Sequence, residues 1–412
     1  MKRLAMVLGA GKGQVPIIEL CHKYGWNVLV VSIEGNYPGF EMAEYCEYID
    51  VRDKEKILDI AQTYEIDAIL SDQLDEAVPT MAYVSEKMRL RGIPYDVALK
   101  LRDKKTMKEE AQRAGINTAK FYAITSMREA LEAIKNLKLP VVVKPADSSA
   151  SRGVSKVCCA DELEESVRFA QQYNRNGKII IEEYIEGSYF SVDTFAYQGR
   201  ITNLDIGYVR DFTTVDQFIL KETINVNVLD AVSDPIAKKV LDTNKYLFEA
   251  FQFPAGIAHA EYVVDKSNTV YLIEAAGRGG GGNISSDLVP TATGIQVTDL
   301  YVRMMLGMEI DENLPILRRA AGYLFFLLPD GVITEVDGKE EIQQMPEVFK
   351  TFLDDVEIGK HTKGIKDKSS RNGPILYTAK TLAECRNCVE KIQKILKVKV
   401  LTDKGVVNAI WD

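Results

Sequence analysis

An α/β architecture built in several parts is what this 412-residue sequence predicts, on three observations. Apolar strand-like runs alternate with helix-period stretches up to Pro94. A strand–turn–strand segment runs from Ala258 to Arg278. The last hundred or so residues hold a Leu324-Phe-Phe-Leu-Leu328 strand, polar turns and a final α/β segment. Strands that alternate with helices signal a parallel sheet.

Along the chain, Leu4 to Gly9 reads as a buried strand that enters Ala10-Gly-Lys-Gly-Gln14 and then an amphipathic helix to about Tyr24. Strands follow at Asn27–Ser32, Cys46–Val51 and Ala68–Ser71, with a helical pattern over Lys54–Tyr64 between them. A helix from Arg102 to Gly115 has Asp103 as its N-cap and Gly115 as its C′ stop. Strand, helix and strand come next, ending in Leu139-Pro-Val-Val-Val-Lys-Pro145. A Ser-rich loop over Ala146–Ser155, a helix over Asp161–Tyr173 and a strand at Lys178–Glu183 complete the middle region.

Composition narrows the function. A net charge of −9 argues against nucleic-acid or anionic-membrane partners. The apolar fraction of 46% and charged fraction of 27% are those of a globular protein. No apolar run reaches membrane-spanning length, and the start carries no leader pattern. Six cysteines, two of them adjacent at Cys158-Cys159, do not form a disulfide framework, so a reducing compartment is expected. Cys385 and Cys388 form a lone C-x-x-C pair with no second ligand pair nearby, and read as ordinary helix thiols rather than a zinc site.

Four segments carry chemistry. Gly9-Ala-Gly-Lys-Gly-Gln14 sits between strand and helix, as a dinucleotide turn does, with Glu34 downstream. Gln14 stands where the third glycine would fall, so an NAD or FAD site is disfavoured against tight packing or an anion at the helix start. Lys144 ends a buried strand and needs an anionic partner. Ser148-Ser-Ala-Ser-Arg-Gly153, just after it, offers hydroxyls and free N–H groups of the kind that close over phosphates. Ile179-Ile-Ile-Glu-Glu-Tyr-Ile185 is a strand running into a turn whose backbone can read an adenine edge, with Glu182 taking the exocyclic amine.

The hairpin is the most informative piece. If Val264 pairs with Thr269, then Glu261 faces Leu272 and His259 faces Glu274. Glu261 and Glu274 then share one face as diagonal neighbours about 7–8 Å apart at the backbone. Two carboxylates so placed suit a magnesium ion that carries phosphate oxygens. Arg278, just beyond, offers a planar fork for phosphate or carboxylate.

Taken in this order, the segments resemble the ATP-grasp superfamily from about Arg102 to Gly307, on the carboxylate–amine (L-amino acid) ligase and biotin-carboxylase-like side. The resemblance implies a Rossmann-like pre-grasp domain over 1–95 and an ATP-grasp domain over 96–310, with a lid at about 120–187. It implies a small C-terminal α/β domain over 311–412, where Arg371-Asn-Gly-Pro-Ile resembles biotin-carboxylase-like and ligase-like members. It assigns ATP to Lys104, Lys144, Ser148, Ser149, Ser151, Gly153, Glu182, Glu183, Tyr184, Ile185 and Asp193. It assigns magnesium to Glu261 and Glu274, and catalytic roles to Arg278 and Lys144. Tyr189 and Ala276 depart from the pattern, at a ribose-binding glutamate and a metal-touching asparagine respectively.

The implied reaction is ATP-dependent joining of a small-molecule carboxylate to an amine through an acyl phosphate, releasing ADP and phosphate. Arg278 would hold the acyl phosphate and the 148–153 loop would act as a lid. Gly279–Asn283 would border the carboxylate pocket, and Arg210, Lys221 and His259 are candidates for the acceptor side. The alternatives are a non-catalytic nucleotide-binding regulator, a carboxylase or nucleotide-precursor ligase of the same superfamily, and a dehydrogenase using the first glycine turn. A cytoplasmic homodimer is expected by analogy with relatives.

Overall fold

A computed structural model describes residues 3–148, 151–213, 218–311, 313–314, 317–365 and 368–412. Among these, four sheets organise the chain.

The first is parallel, in the order Tyr45–Tyr48, Asn27–Ser32, Leu4–Leu8, Ala68–Leu70. Asn27–Ser32, Leu4–Leu8 and Ala68–Leu70 are near-continuous buried apolar runs, whereas the edge strand Tyr45–Tyr48 is largely exposed. The third strand stops before the expected Val51. Asp50 instead takes the backbone N–H of Arg52 at 3.0 Å and its Nε at 2.7 Å, which turns the chain.

An eight-stranded antiparallel sheet forms the centre. Its order is Val270–Ala276, Gly256–Asp265, Gly187–Tyr197, Arg200–Asp211, Leu220–Asn227, Ala320–Leu327, Arg371–Ala379 and Val348–Thr351. Period-two alternation splits its faces. Phe190, Val192, Ile206, Ala258, Ala260 and Tyr262 share a core with Val240, Leu241, Leu247 and Phe248 of helix Pro235–Ala250. On the other face, register aligns Ser191 with Glu261 and Gly207, and Asp193 with His259 and Asp205. That polar face is the floor of the main cleft.

The expected lid region contains an antiparallel sheet of Phe121–Ile124, Ile179–Glu183, Val141–Pro145 and Ser155–Val157. Helices Met127–Lys135 and Leu163–Gln171 pack on it through Ala130, Ala133, Val167 and Ala170. A fourth sheet, near the C-terminus, holds His361–Thr362, Gly331–Asp337, Lys397–Thr402 and Gly405–Asn408. No helix among the described residues is long and apolar enough to cross a membrane. Cys385 and Cys388 lie buried in helix Leu382–Ile395, where burial pushes both thiols up to about 12.

The hairpin register differs from the expected one. Val264 pairs with Val270, and a bulge at Ile273 then sets Glu261 directly opposite Glu274 and His259 opposite Ala276. The turn explains part of the slip: Asp265 Oδ1 accepts from the backbone of Ser267 at 2.8 Å and Thr269 at 2.9 Å, which takes Thr269 out of the ladder. The bulge supplies the rest.

Helix Lys104–Arg113 begins where the sequence places it, with Asp103 Oδ1 accepting from Thr106 N at 2.8 Å and Thr106 Oγ1 at 2.9 Å. Replacing this cap, Asp103→Ala, is expected to cost about 1 kcal/mol of stability. Urea denaturation of the two proteins side by side measures it.

Candidate functional site

The main cleft lies between the lid sheet and the polar face of the large sheet. Lys104, Lys108, Lys144, Ser148, Ser151, Glu182, Glu183, Tyr184, Ile185, Glu261 and Glu274 all line it. Segments more than a hundred residues apart in sequence thus meet there.

Lys104 opens helix Lys104–Arg113 and is buried. Its Nζ donates to Ser148 O at 2.6 Å and to Glu274 Oε1 at 3.1 Å. One lysine therefore touches both the Ser-rich loop and a carboxylate of the hairpin. Across the cleft, Lys144 Nζ lies 2.5 Å from Glu182 Oε1, and Lys108 Nζ lies 2.8 Å from Glu182 Oε2. Burial raises the Glu182 carboxyl, but Lys108 and Lys144 outweigh it and hold it at about 2. Burial also pulls Lys108 below the ordinary amine range, against the attraction of Glu182.

Lys108 is the cleft-lining residue that the sequence did not single out. Its signal was present: it follows Lys104 by four residues on a helix, so both project from one face.

The hinge after Glu182 is held by its backbone. Glu183 N donates to Lys120 O at 3.0 Å, and Tyr184 N to Pro140 O at 3.0 Å. Lys156 Nζ sits 4.0 Å from the centroid of the Tyr184 ring. Tyr189, which departs from the family pattern, donates its hydroxyl to Ile185 O at 3.4 Å and so braces this turn.

Glu261 and Glu274, paired across the hairpin, point into the cleft. His259 Nε2 lies 3.8 Å from Glu261 Oε1, while its Nδ1 meets Asp193 Oδ1 at 3.1 Å. Burial works against the imidazolium, yet Asp193 and Glu261 raise His259 to about 10. Burial likewise raises Glu261, but His259, Lys368 and Arg278 bring it down to about 2. No group of three or more Asp, Glu, His or Cys side chains among the described residues forms a metal cage. Two carboxylates sharing a face, one paired with Lys104 and one beside His259, fit a magnesium ion that takes its remaining oxygens from phosphate and water.

Several expected residues lie elsewhere. Asp193 is buried beneath the cleft on His259 and Gly280 N, with Asp205 opposite it in the ladder. Arg278 is outside the cleft lining: Asp75 holds it with Oδ1 2.9 Å from Nε and Oδ2 3.1 Å from NH2, and Gly279 O takes NH1 at 2.9 Å. Gly153, at φ 74°, packs under the loop against Pro145 and Tyr173. Ser149 falls outside the described residues. Arg210 pairs with Glu222, and Lys221 with Asp412, along a neighbouring cavity.

The early glycine turn is closed by its own glutamine. Gly11 N donates to Gln14 Oε1 at 3.0 Å, and Gln14 Nε2 to Asp72 O at 2.6 Å. Asp72 in turn accepts from Gly279 N at 2.9 Å and Ser285 Oγ at 3.1 Å, joining the N-terminal sheet to the Gly279–Asn283 run. Burial raises Asp72 to about 6, against these bonds.

A family model described as D-ala D-ala ligase C-terminus matches residues 111–306, and one described as L-amino acid ligase C-terminal domain 2 matches residues 324–400. An L-arginine-specific L-amino acid ligase of Bacillus subtilis is 23% identical over 304 residues, covering 73% of this chain and 72% of the relative. A formate-dependent phosphoribosylglycinamide formyltransferase of Methanocaldococcus jannaschii is 31% identical over 194 residues, covering 45% of this chain. The chain spans about half the length of the formyltransferase relatives it matches, 48% in that case. The crystal structure of an L-amino acid ligase from Bacillus licheniformis aligns with a TM-score of 0.80 at 24% identity, over 96% of this chain and 98% of the other.

Acid tests the Glu182 pairing. A carboxyl held below its ordinary 4.5 stabilises the fold above that pH, and its contribution is lost as pH falls toward about 2. Between about pH 5 and pH 2, wild-type unfolding free energy should fall by on the order of 2 kcal/mol more than that of the Lys108→Met/Glu182→Gln double variant. Urea titrations at stepped pH measure the difference.

Proposed function

The chain belongs to the ATP-grasp superfamily, and from that premise we propose that it is an ATP-dependent ligase joining a carboxylate to an amine, with amino-acid-like substrates. The observation that carries this reading is the meeting, in one cleft, of Lys104, Lys144 and the Ser-rich loop with the facing carboxylates Glu261 and Glu274.

Lys104 and Lys144 neutralise nucleotide phosphates, exchanging their present carboxylate partners for phosphate oxygens. Magnesium, when bound, supplies charge neutralisation on the phosphoryl group, with Glu261 and Glu274 as its protein ligands. The hinge from Glu183 to Ile185 presents backbone groups to the base, and Tyr184 forms an aromatic wall. Ser148 and Ser151 face the phosphates from the loop that excludes water. Arg278, fixed by Asp75, holds charge at the far end, where a phosphorylated carboxylate meets the amine. Division into units at 1–95, 96–310 and 311–412, a homodimer and a cytoplasmic setting belong to the same reading.

Amino acids are favoured as substrates over the carboxylase and nucleotide-precursor alternatives by the second family match, over residues 324–400. Release of ADP and phosphate from magnesium–ATP across a matrix of amino acids and amines, with products followed by mass spectrometry, tests the proposal. A pair-dependent burst with a new amide mass is expected; ATP binding without turnover under every pair would favour a regulatory protein instead. Glu274→Gln should reduce turnover by about 10²-fold or more at saturating magnesium, and near-normal turnover would sink the metal assignment.

A further inference from the structure

Lys108 has no part in the phosphate chemistry just proposed, yet its side chain is wholly buried at 0% exposure. Taking an ammonium out of water costs several kcal/mol unless a partner balances it. Lys108 is balanced by Glu182, whose Oε2 lies 2.8 Å from its Nζ. The other oxygen of the same carboxylate, Oε1, lies 2.5 Å from Lys144. One carboxylate therefore has two cations of different mobility. Lys144 ends the lid strand Val141–Pro145 beside the Ser-rich loop, and on the nucleotide reading it is drawn toward phosphate. Lys108 sits one helical turn behind Lys104, enclosed, and stays with Glu182.

Resting on that reading, we propose that Lys108 is a specificity-determining residue, which keeps Glu182 ionised and fixed as an acceptor facing the base edge, so that the site takes adenine and refuses guanine. The lining of the cleft includes apolar Ala119, Val142 and Leu272 together with Tyr184, side chains suited to contact with a purine. Adenine presents an exocyclic amine where guanine presents a carbonyl oxygen. An ionised carboxylate only accepts hydrogen bonds; a protonated one also donates and would welcome that carbonyl. Lys108 maintains the first state after Lys144 has turned to phosphate. A site built to bond a donor rejects the ligand that lacks it, because its own buried group is left unpaired.

Equilibrium titration of the full chain with non-hydrolysable magnesium–ATP and magnesium–GTP analogues reads this without turnover. Wild type should favour the adenine nucleotide by about 10²-fold or more. Lys108→Met should cut that ratio at least tenfold, by weakening the adenine nucleotide more than the guanine one, and Lys108→Arg should retain it. Lys108→Met/Glu182→Gln removes Lys108 together with the carboxylate that balances it, leaving only Lys144 without its partner, and should show the same loss of selection if the single variant does not fold. An unchanged ratio in Lys108→Met or in the double variant would overturn the inference. So would an equal weakening of both nucleotides, which marks a purely structural role. Wild-type protein that binds neither nucleotide, or both alike, would overturn the nucleotide-site reading and this inference together.

Discussion

Charge balance in a buried cleft is the constraint on which the site depends. Lys104, Lys108 and Lys144 converge on the cleft with their side chains buried, and none can stay there as an uncompensated cation. Glu274 answers Lys104, and Glu182 answers the other two. Because Glu182 stands on strand Ile179–Glu183 and Lys108 on helix Lys104–Arg113, their ion pair also ties that sheet to the helix. The groups that would meet a nucleotide are thus held in place by one another before it arrives, which lowers the ordering cost of binding.

The large sheet makes this economical. Its alternation gives one face to packing on helix Pro235–Ala250 and the other to chemistry, so a rigid layer carries both the core and the cleft floor. The single irregularity that matters is the bulge at Ile273, which sets Glu274 opposite Glu261 and re-aims a side chain without breaking the sheet. Behind them, His259 and Asp193 form a buried pair that holds Glu261 from below.

The N-terminal sheet reaches the site through Asp72 and Asp75. Asp75 grips Arg278 with two oxygens, and Asp72 takes the N–H of Gly279. A side chain on Gly279 would meet Asp72 Oδ1 at 2.7 Å and Ser285 Cβ at 2.7 Å, so glycine there is what lets the two segments touch. The region around Arg278, just outside the cleft lining, is therefore built jointly by residues some two hundred positions apart.

By itself the sequence determined many of the elements and the chemistry of the residues, but not the strands over 187–227 or helix Pro235–Ala250. The Asp103 cap, the strand ending at Lys144, the Glu182–Ile185 hinge and the shared face of Glu261 and Glu274 follow from local rules of capping and period-two alternation, which act over a few residues. Lys108 was legible in principle, four residues after Lys104, but nothing local distinguishes a buried lysine from a solvated one. The hairpin register was not legible, since a slip of one residue turns on an Asx turn and a bulge whose energies differ little from those of alternatives. Nor were the partners of Arg278 and Asp193, because Asp75 and His259 reach them only once distant strands pack together. Tertiary structure decided which charges face one another, and burial sets the worth of each pair: where both partners are enclosed, as Lys108 and Glu182 are, the identity of the neighbour governs the energy of the ion.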